Sequence, residues 1–170
     1  MNKSYYSLGL MSGTSMDGVD ASLIKSDGLS KYNAISNKYF EYDKNLYQNL
    51  TNIRDKISNS KDLEILSNDL KSIEKEITLF HAKVVNEITK ESTFEIDFIG
   101  FHGQTIFHNA DEKISRQLGD GKLLSQLTKK TVVYNFREND LHNGGEGAPL
   151  APIFHQLIVK ENKIDLPVCI

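Results

Sequence analysis

The chain has 170 residues, 39% hydrophobic and 25% charged, which is the composition of a globular protein long enough to bury one sizeable core. A net charge of −3, with Lys and Arg scattered along the chain, leaves no electrostatic footprint for nucleic acid or for an anionic membrane surface. The single cysteine, Cys169, excludes an internal disulfide framework, and no apolar run approaches the ~18 residues of a membrane span, so a cytoplasmic protein is expected.

Residues 5–11 read as a strand, followed by a Gly/Ser/Thr/Asp-rich loop over 12–18 and a second strand over 19–25. Asp27-Gly28 is a hairpin-turn dipeptide, so 32–42 is expected to return as a third strand. Leu46, Leu50, Ile53 and Ile57 lie at helical spacing and predict one apolar helix face. Leu63, Leu66, Leu70, Ile73, Ile77, Phe80, Val84 and Ile88 continue that periodicity and predict one helix over 62–90, with Ser60 as N-cap and its stripe facing the core. A strand over 94–101 is expected to end in His102-Gly103-Gln104-Thr105. A short strand over 116–118, a helix over 122–128 and a β-branched strand over 131–136 follow, then a glycine-rich loop over 143–147 and a helix begun by Pro149. Residues 165–170 read as an apolar strand, with Cys169 as a small buried hydrophobe, at which the sequence stops; a fragment of a longer protein is expected. Three opening strands followed by alternating strands and helices give one α/β domain with a mixed sheet.

The first loop carries the clearest chemistry. In Gly9-Leu10-Met11-Ser12-Gly13-Thr14-Ser15-Met16-Asp17-Gly18-Val19-Asp20, glycines and hydroxyls share a tight turn between two strands. Glycine admits close backbone approach, and successive amides form an anion nest, which suits a phosphate. Asp17 and Asp20 fit beside an anion when Mg²⁺ lies between, because a hard cation takes carboxylate oxygens and bridges phosphates. An ordinary polar hairpin turn with solvated aspartates is the alternative. The loop has no Gly-Lys-Ser/Thr of a Walker P-loop, and Asp17 stands where a Gly-x-Ser-x-Gly elbow needs its last glycine. His102, His108, His142 and His155 have no zinc-ligand spacing.

That loop resembles the opening signature of the anhydro-N-acetylmuramic acid kinases, and three further stretches agree in order. They are Gly100-Phe101-His102-Gly103-Gln104-Thr105, Gln117-Leu118-Gly119-Asp120-Gly121, and Phe136-Arg137 leading to Gly144-Gly145-Glu146-Gly147-Ala148-Pro149-Leu150. The resemblance implies a ribonuclease-H-like, actin-like ATPase fold with an opening three-strand meander. It implies a two-domain, homodimeric, cytoplasmic enzyme that uses ATP to cleave the anhydro ring of anhydro-N-acetylmuramic acid and phosphorylate O6 during peptidoglycan recycling.

Carried onto this chain, the nucleotide-phosphate loop comprises Gly13, Thr14, Ser15, Met16, Asp17, Gly18, Val19 and Asp20, with Asp17 and Asp20 as candidate Mg²⁺ ligands. His102, Gln104, Thr105, Arg137 and Asp140 are the candidate sugar-side residues. Arg137 has two readings: a bidentate partner of the substrate carboxylate, or an internal ion pair with Glu138 or Asp140. The family's general-base aspartate is expected beyond Ile170, in a missing C-terminal lobe, so the 170 residues alone are expected to be inactive. Met11, Asn135 and Glu146 depart from the family and superfamily pattern and also fit the alternative of a non-catalytic binding module of the same fold.

Overall fold

A computed structural model describes residues 3–164; the expected strand over 165–170, and Cys169 with it, lies outside the described residues. Strand β1 (Tyr5–Ser12) pairs antiparallel with β2 (Gly18–Ser26), and β2 pairs antiparallel with β3 (Tyr32–Glu41), as the meander reading expects. The β2–β3 turn is set by Asp27, whose Oδ1 accepts from the amides of Leu29, Ser30 and Lys31 at 2.9–3.0 Å. Those amides hold its carboxyl well below the usual range, at about 2.

Helix α1 (Lys44–Arg54) is capped by Asp43, whose side chain accepts from the amides of Asn45 and Leu46. The long apolar stripe is interrupted. It forms α2 (Ser60–Ile65) and α3 (Ser67–Glu91), separated at Leu66, where ψ swings to +12°. Asn59, not Ser60, is the N-cap, in a reciprocal capping box with Asp62. The break turns α2 so that Leu63 and Leu66 still reach the edge of the core that α3 fills.

Strand β4 (Phe98–Asn109) runs parallel to β1 and is longer than the sequence suggests. His102-Gly103-Gln104-Thr105 lies within it, because its second half gains an antiparallel partner, β5 (Ile114–Leu118). Gly103, at φ +74°, absorbs the change: a Cβ there would stand 2.6 Å from the Leu118 carbonyl oxygen. Helix α4 (Gly121–Thr128) leads to β6 (Thr131–Tyr134), which pairs parallel with the first half of β4. The expected extension of β6 to 136 stops at Asn135, whose φ of +64° is tolerated by asparagine better than by most residues. A short helix, α5 (Glu138–His142), fills the stretch before the glycine-rich loop, to which the sequence reading assigned no element, and α6 (Leu150–Glu161) follows Pro149.

The sheet order is β3-β2-β1-β4-β5, with β6 also on β4. Alternation along β1 buries Leu8, Leu10 and Ser12 on the helix-covered face and turns Gly9 and Met11 to the other. Helix α3 buries Leu70, Ile73, Ile77, His81, Val84, Val85 and Ile88, forming with Leu8, Leu10, Ile99 and Phe101 the centre of the core. Removing each such Leu or Ile from water contributes roughly 2 kcal/mol. The parallel strands β1 and β6 both end beside Phe101–Gln104 of β4, and the carboxyl ends of parallel strands are where open α/β sheets place their ligands. Among the described residues no helix is long and apolar enough to cross a membrane.

Candidate functional site

The turn after β1 is built on an inward carbonyl and a buried anchor. The Gly13 carbonyl accepts from the Met16 amide at 3.2 Å and from Gln104 Nε2 at 2.6 Å. Met16 adopts φ +60° and is buried to 2% exposure, so its side chain pins the turn to the core at the cost of a left-handed backbone. Gly13 itself is not left-handed, and a Cβ on it would meet only Ser15 Oγ, at 3.7 Å. The turn is therefore open on its outer side. Among the described residues, the amides of Thr14 and Ser15 have no hydrogen-bond acceptor.

Asp17 is exposed and accepts from the Ser15 hydroxyl at 2.5 Å, and that bond, ahead of every other influence, lowers its carboxyl pKa. Its backbone carbonyl accepts from the Tyr42 amide at 2.8 Å, tying the turn to the end of β3. Gly18 is required by packing, since a Cβ would stand 2.4 Å from the Phe40 carbonyl oxygen. Asp20, paired in register with Met11 and Tyr39, lies on the open sheet face and is exposed. Asp17, Glu41 and Asp20 all raise the pKa of the Tyr39 phenol electrostatically, after the larger effect of its desolvation. No group of three metal-ligating side chains occurs among the described residues. Val19 is fully buried and serves the core.

Beneath the turn lies a buried polar network that sequence reading missed. His81 Nδ1 lies 2.8 Å from the Ile77 carbonyl, which can only accept, so Nδ1 carries the proton. Nε2 is then an acceptor, and Ser12 Oγ donates to it at 3.1 Å. The Tyr42 hydroxyl donates to Ser12 Oγ at 3.0 Å and lies 3.4 Å from Gln104 Oε1. Burial lowers the His81 pKa to about 4 and raises that of Tyr42, so both are neutral near pH 7. The available signal was a histidine standing in the apolar stripe four residues after Ile77.

A second corner forms just past the end of β6, beside the middle of β4. Arg137 Nε donates to His102 Nε2 at 3.0 Å, and its Nη1 donates to the Gly147 carbonyl at 2.8 Å. His102 Nδ1 lies 2.7 Å from the Gly103 carbonyl, so this histidine too is neutral with its proton on Nδ1; burial, ahead of the Arg137 charge, lowers its pKa. Desolvation also lowers the Arg137 pKa. Neither internal ion pair weighed for Arg137 forms: the Asn135 amide takes Glu138, and Asp140 accepts from the Gly147 amide at 2.7 Å. Asp140 organises the glycine loop, and a Cβ on Gly145 would fall 2.2 Å from its carboxylate. Gln104 is wholly buried beneath the turn. Thr105 lies in mid-strand and accepts from Gln117 at 3.3 Å. A cavity of about 500 Å³ lies on the open sheet face beside this second corner, walled by Met11, Asp20, Ser22, His102, Arg137 and Pro149, and none of residues 13–18 lines it.

Sheet order, parallel pairing of β1 with β4 and β6, and the hydroxyl-rich turn after β1 define an α/β domain of the ribonuclease-H-like, actin-like ATPase class. The family model for anhydro-N-acetylmuramic acid kinase matches residues 5–168, and the chain belongs to that family. It is 64% identical over all 170 residues to the anhydro-N-acetylmuramic acid kinase of Pelagibacter ubique, covering 45% of that protein. It is 40% identical over 157 residues to that of Agrobacterium fabrum, with 89% of this chain and 41% of the relative covered. For Gluconobacter oxydans the identity is 39% over 159 residues, covering 92% of this chain and 43% of the relative. The chain thus spans less than half the length of these relatives.

Proposed function

We propose that the chain supplies the phosphate-loop wall of an ATP-dependent kinase that opens 1,6-anhydro-N-acetylmuramic acid and phosphorylates its O6 in peptidoglycan recycling. The observation that carries this reading is the pair of amides, Thr14 and Ser15, that have no acceptor among the described residues, in a turn left open at Gly13. Amides fixed in place before the ligand arrives stabilise charge without reorganising, which is how such loops assist phosphoryl transfer.

Asp17 and Asp20 would hold Mg²⁺, which supplies charge neutralisation between phosphate oxygens; the lowered pKa of Asp17 suits a hard-cation ligand. On the sugar side, Arg137 is oriented by His102 and Gly147, which leaves Nη2 for a substrate carboxylate. His102 orients that guanidinium, Asp140 shapes the glycine loop beside it, and Thr105 and Gln104 support the strand between the corners. The general-base aspartate belongs to a C-terminal lobe beyond Ile170, in a homodimeric full-length enzyme. Phosphoryl transfer needs charge and positioning from both sides of the phosphate, so the 170-residue chain alone is expected not to turn over.

Kinetics of the full-length protein separate the two corners. Asp17→Asn is expected to raise the Mg²⁺ requirement and the KM for ATP by about ten-fold, with the KM for sugar unchanged. Arg137→Ala is expected to do the converse, raising the sugar KM by about 10–100-fold through loss of a charged hydrogen bond. An Asp17→Asn enzyme with ordinary Mg²⁺-dependent turnover removes Asp17 from the metal site, and an unchanged sugar KM in Arg137→Ala removes Arg137 from the sugar site.

A further inference from the structure

We infer that Gln104 is a positioning residue for the phosphate loop: its buried amide fixes the Gly13–Thr14 peptide so that the Thr14 N–H faces the ligand. The inference rests on the phosphate-loop reading above and assigns the loop's conformation to one side chain outside it.

The geometry determines which way the Gln104 amide points. One end lies 2.6 Å from the Gly13 carbonyl and 3.2 Å from the Thr105 carbonyl. Both are acceptors only, so the NH₂ group faces them and spends its two protons there. The other end, Oε1, then faces the Tyr42 hydroxyl at 3.4 Å. Tyr42 spends its one proton on Ser12, which donates to His81, so Oε1 only lies beside the phenol oxygen, and the amide's orientation is set by the two carbonyls that take its protons. Gln104, Tyr42, Ser12 and His81 are all buried.

A trans peptide is planar, and its C=O and N–H point in opposite directions. No cis peptide occurs among the described residues. Drawing the Gly13 carbonyl inward therefore turns the Thr14 N–H outward, onto the open side of the turn. The Met16 amide, at 3.2 Å, is the only other donor to that carbonyl among the described residues, and the Gln104 bond is the shorter of the two. A flip of this peptide would turn ψ of Gly13 and φ of Thr14 and break both bonds to the carbonyl; Gly13 tolerates its share, and the Gln104 bond, the shorter of the two, is the one supplied from outside the turn. Gln104 acts through the loop and touches no ligand.

Gln104→Met keeps the length and nearly the volume of the side chain but has no N–H to donate. Gln104→Glu, an isosteric second variant, sets carboxylate oxygens against both carbonyls. The test uses the ¹⁵N-labelled 170-residue chain, titrated with MgADP and read at the Thr14 and Ser15 amides, with unfolding followed separately. In wild type, both amides are expected to shift on titration. In a folded variant, the free-state Thr14 resonance is expected to move, and the Kd for MgADP to rise by about ten-fold, the value of one well-placed hydrogen bond to an anion. A purely structural role would lower Tm while leaving the Kd and the Thr14 shift of the folded fraction unchanged, and that outcome overturns the inference while the phosphate-loop reading stands. Wild-type Thr14 and Ser15 amides that do not respond to millimolar MgADP overturn that reading and the inference with it.

Discussion

Gly119→Ala is expected to lower stability by about 3 kcal/mol or more, read as a fall of roughly 10 °C in Tm. Two independent costs add. Gly119 has φ +138°, a conformation L-residues rarely adopt, and a Cβ there would lie 2.3 Å from the Phe101 ring, which is itself buried in the core. The neighbouring bonds show what the glycine permits. Its amide donates to Glu74 Oε1 at 3.2 Å, and the Asp120 amide donates to Thr78 Oγ1 at 2.9 Å, so this corner is clamped to α3. Asp120 then caps α4 through the amides of Lys122 and Leu123, and a Cβ on Gly121 would run into the Tyr134 ring at 2.4 Å. Gln117-Leu118-Gly119-Asp120-Gly121 is thus a packed corner that holds β5, α4 and β6 around α3. A Gly119→Ala protein as stable as wild type would show that this corner can relax without loss.

The second large effect is a loss of stability on acidification that depends on one side chain. His81 is protonated near its ordinary pKa of 6.5 when unfolded, but only near 4 when folded, chiefly because burial disfavours the charged ring. Between those values the unfolded chain binds more protons, so stability rises with pH across this window and is lost as pH falls from about 6.5 to about 4. The total contribution is on the order of 3 kcal/mol, and it levels off below the folded pKa. Protonation would also place an N–H of His81 against Ser12 Oγ, reversing the bond that orders the network beneath the phosphate loop. His81→Leu is expected to flatten the stability profile in that window, whatever its effect on stability at pH 7. Denaturant unfolding at several pH values, comparing slopes between variants, reads this directly. Equal slopes in wild type and His81→Leu would mean that the acid sensitivity resides elsewhere, among the carboxylates.

Much of this architecture was legible in the sequence because its signals are local. Strand periodicity in β1 and β2, the Asp27-Gly28 turn and the apolar stripe of α3 need only neighbouring residues to be read. The polar turn after β1 was also legible, because glycine and hydroxyl residues cluster within a few positions. What escaped was decided by partners distant in sequence. β4 runs past Phe101 because β5 arrives to pair with it, and no pattern within 102–105 announces that. The helix break at Leu66 follows a capping box at Asn59 and Asp62, where the apolar period alone gives no sign of interruption. Gln104 looked like a cleft residue because its motif is polar, yet its partners, Gly13 and Tyr42, lie 91 and 62 positions away. Arg137 was weighed against carboxylates close in sequence, whereas it donates to a neutral histidine on β4, 35 residues away, and to the Gly147 carbonyl.

We propose that the turn after β1 holds the phosphates of a nucleotide used to phosphorylate an anhydro-sugar. The most direct test is mass spectrometry of the sugar after incubating the full-length protein with ATP, Mg²⁺ and 1,6-anhydro-N-acetylmuramic acid in ¹⁸O-labelled water. The account predicts a product that has gained one phosphoryl group and one water, with the label at the former anhydro carbon. An unphosphorylated sugar, or a phosphorylated one with its anhydro ring intact, would contradict it.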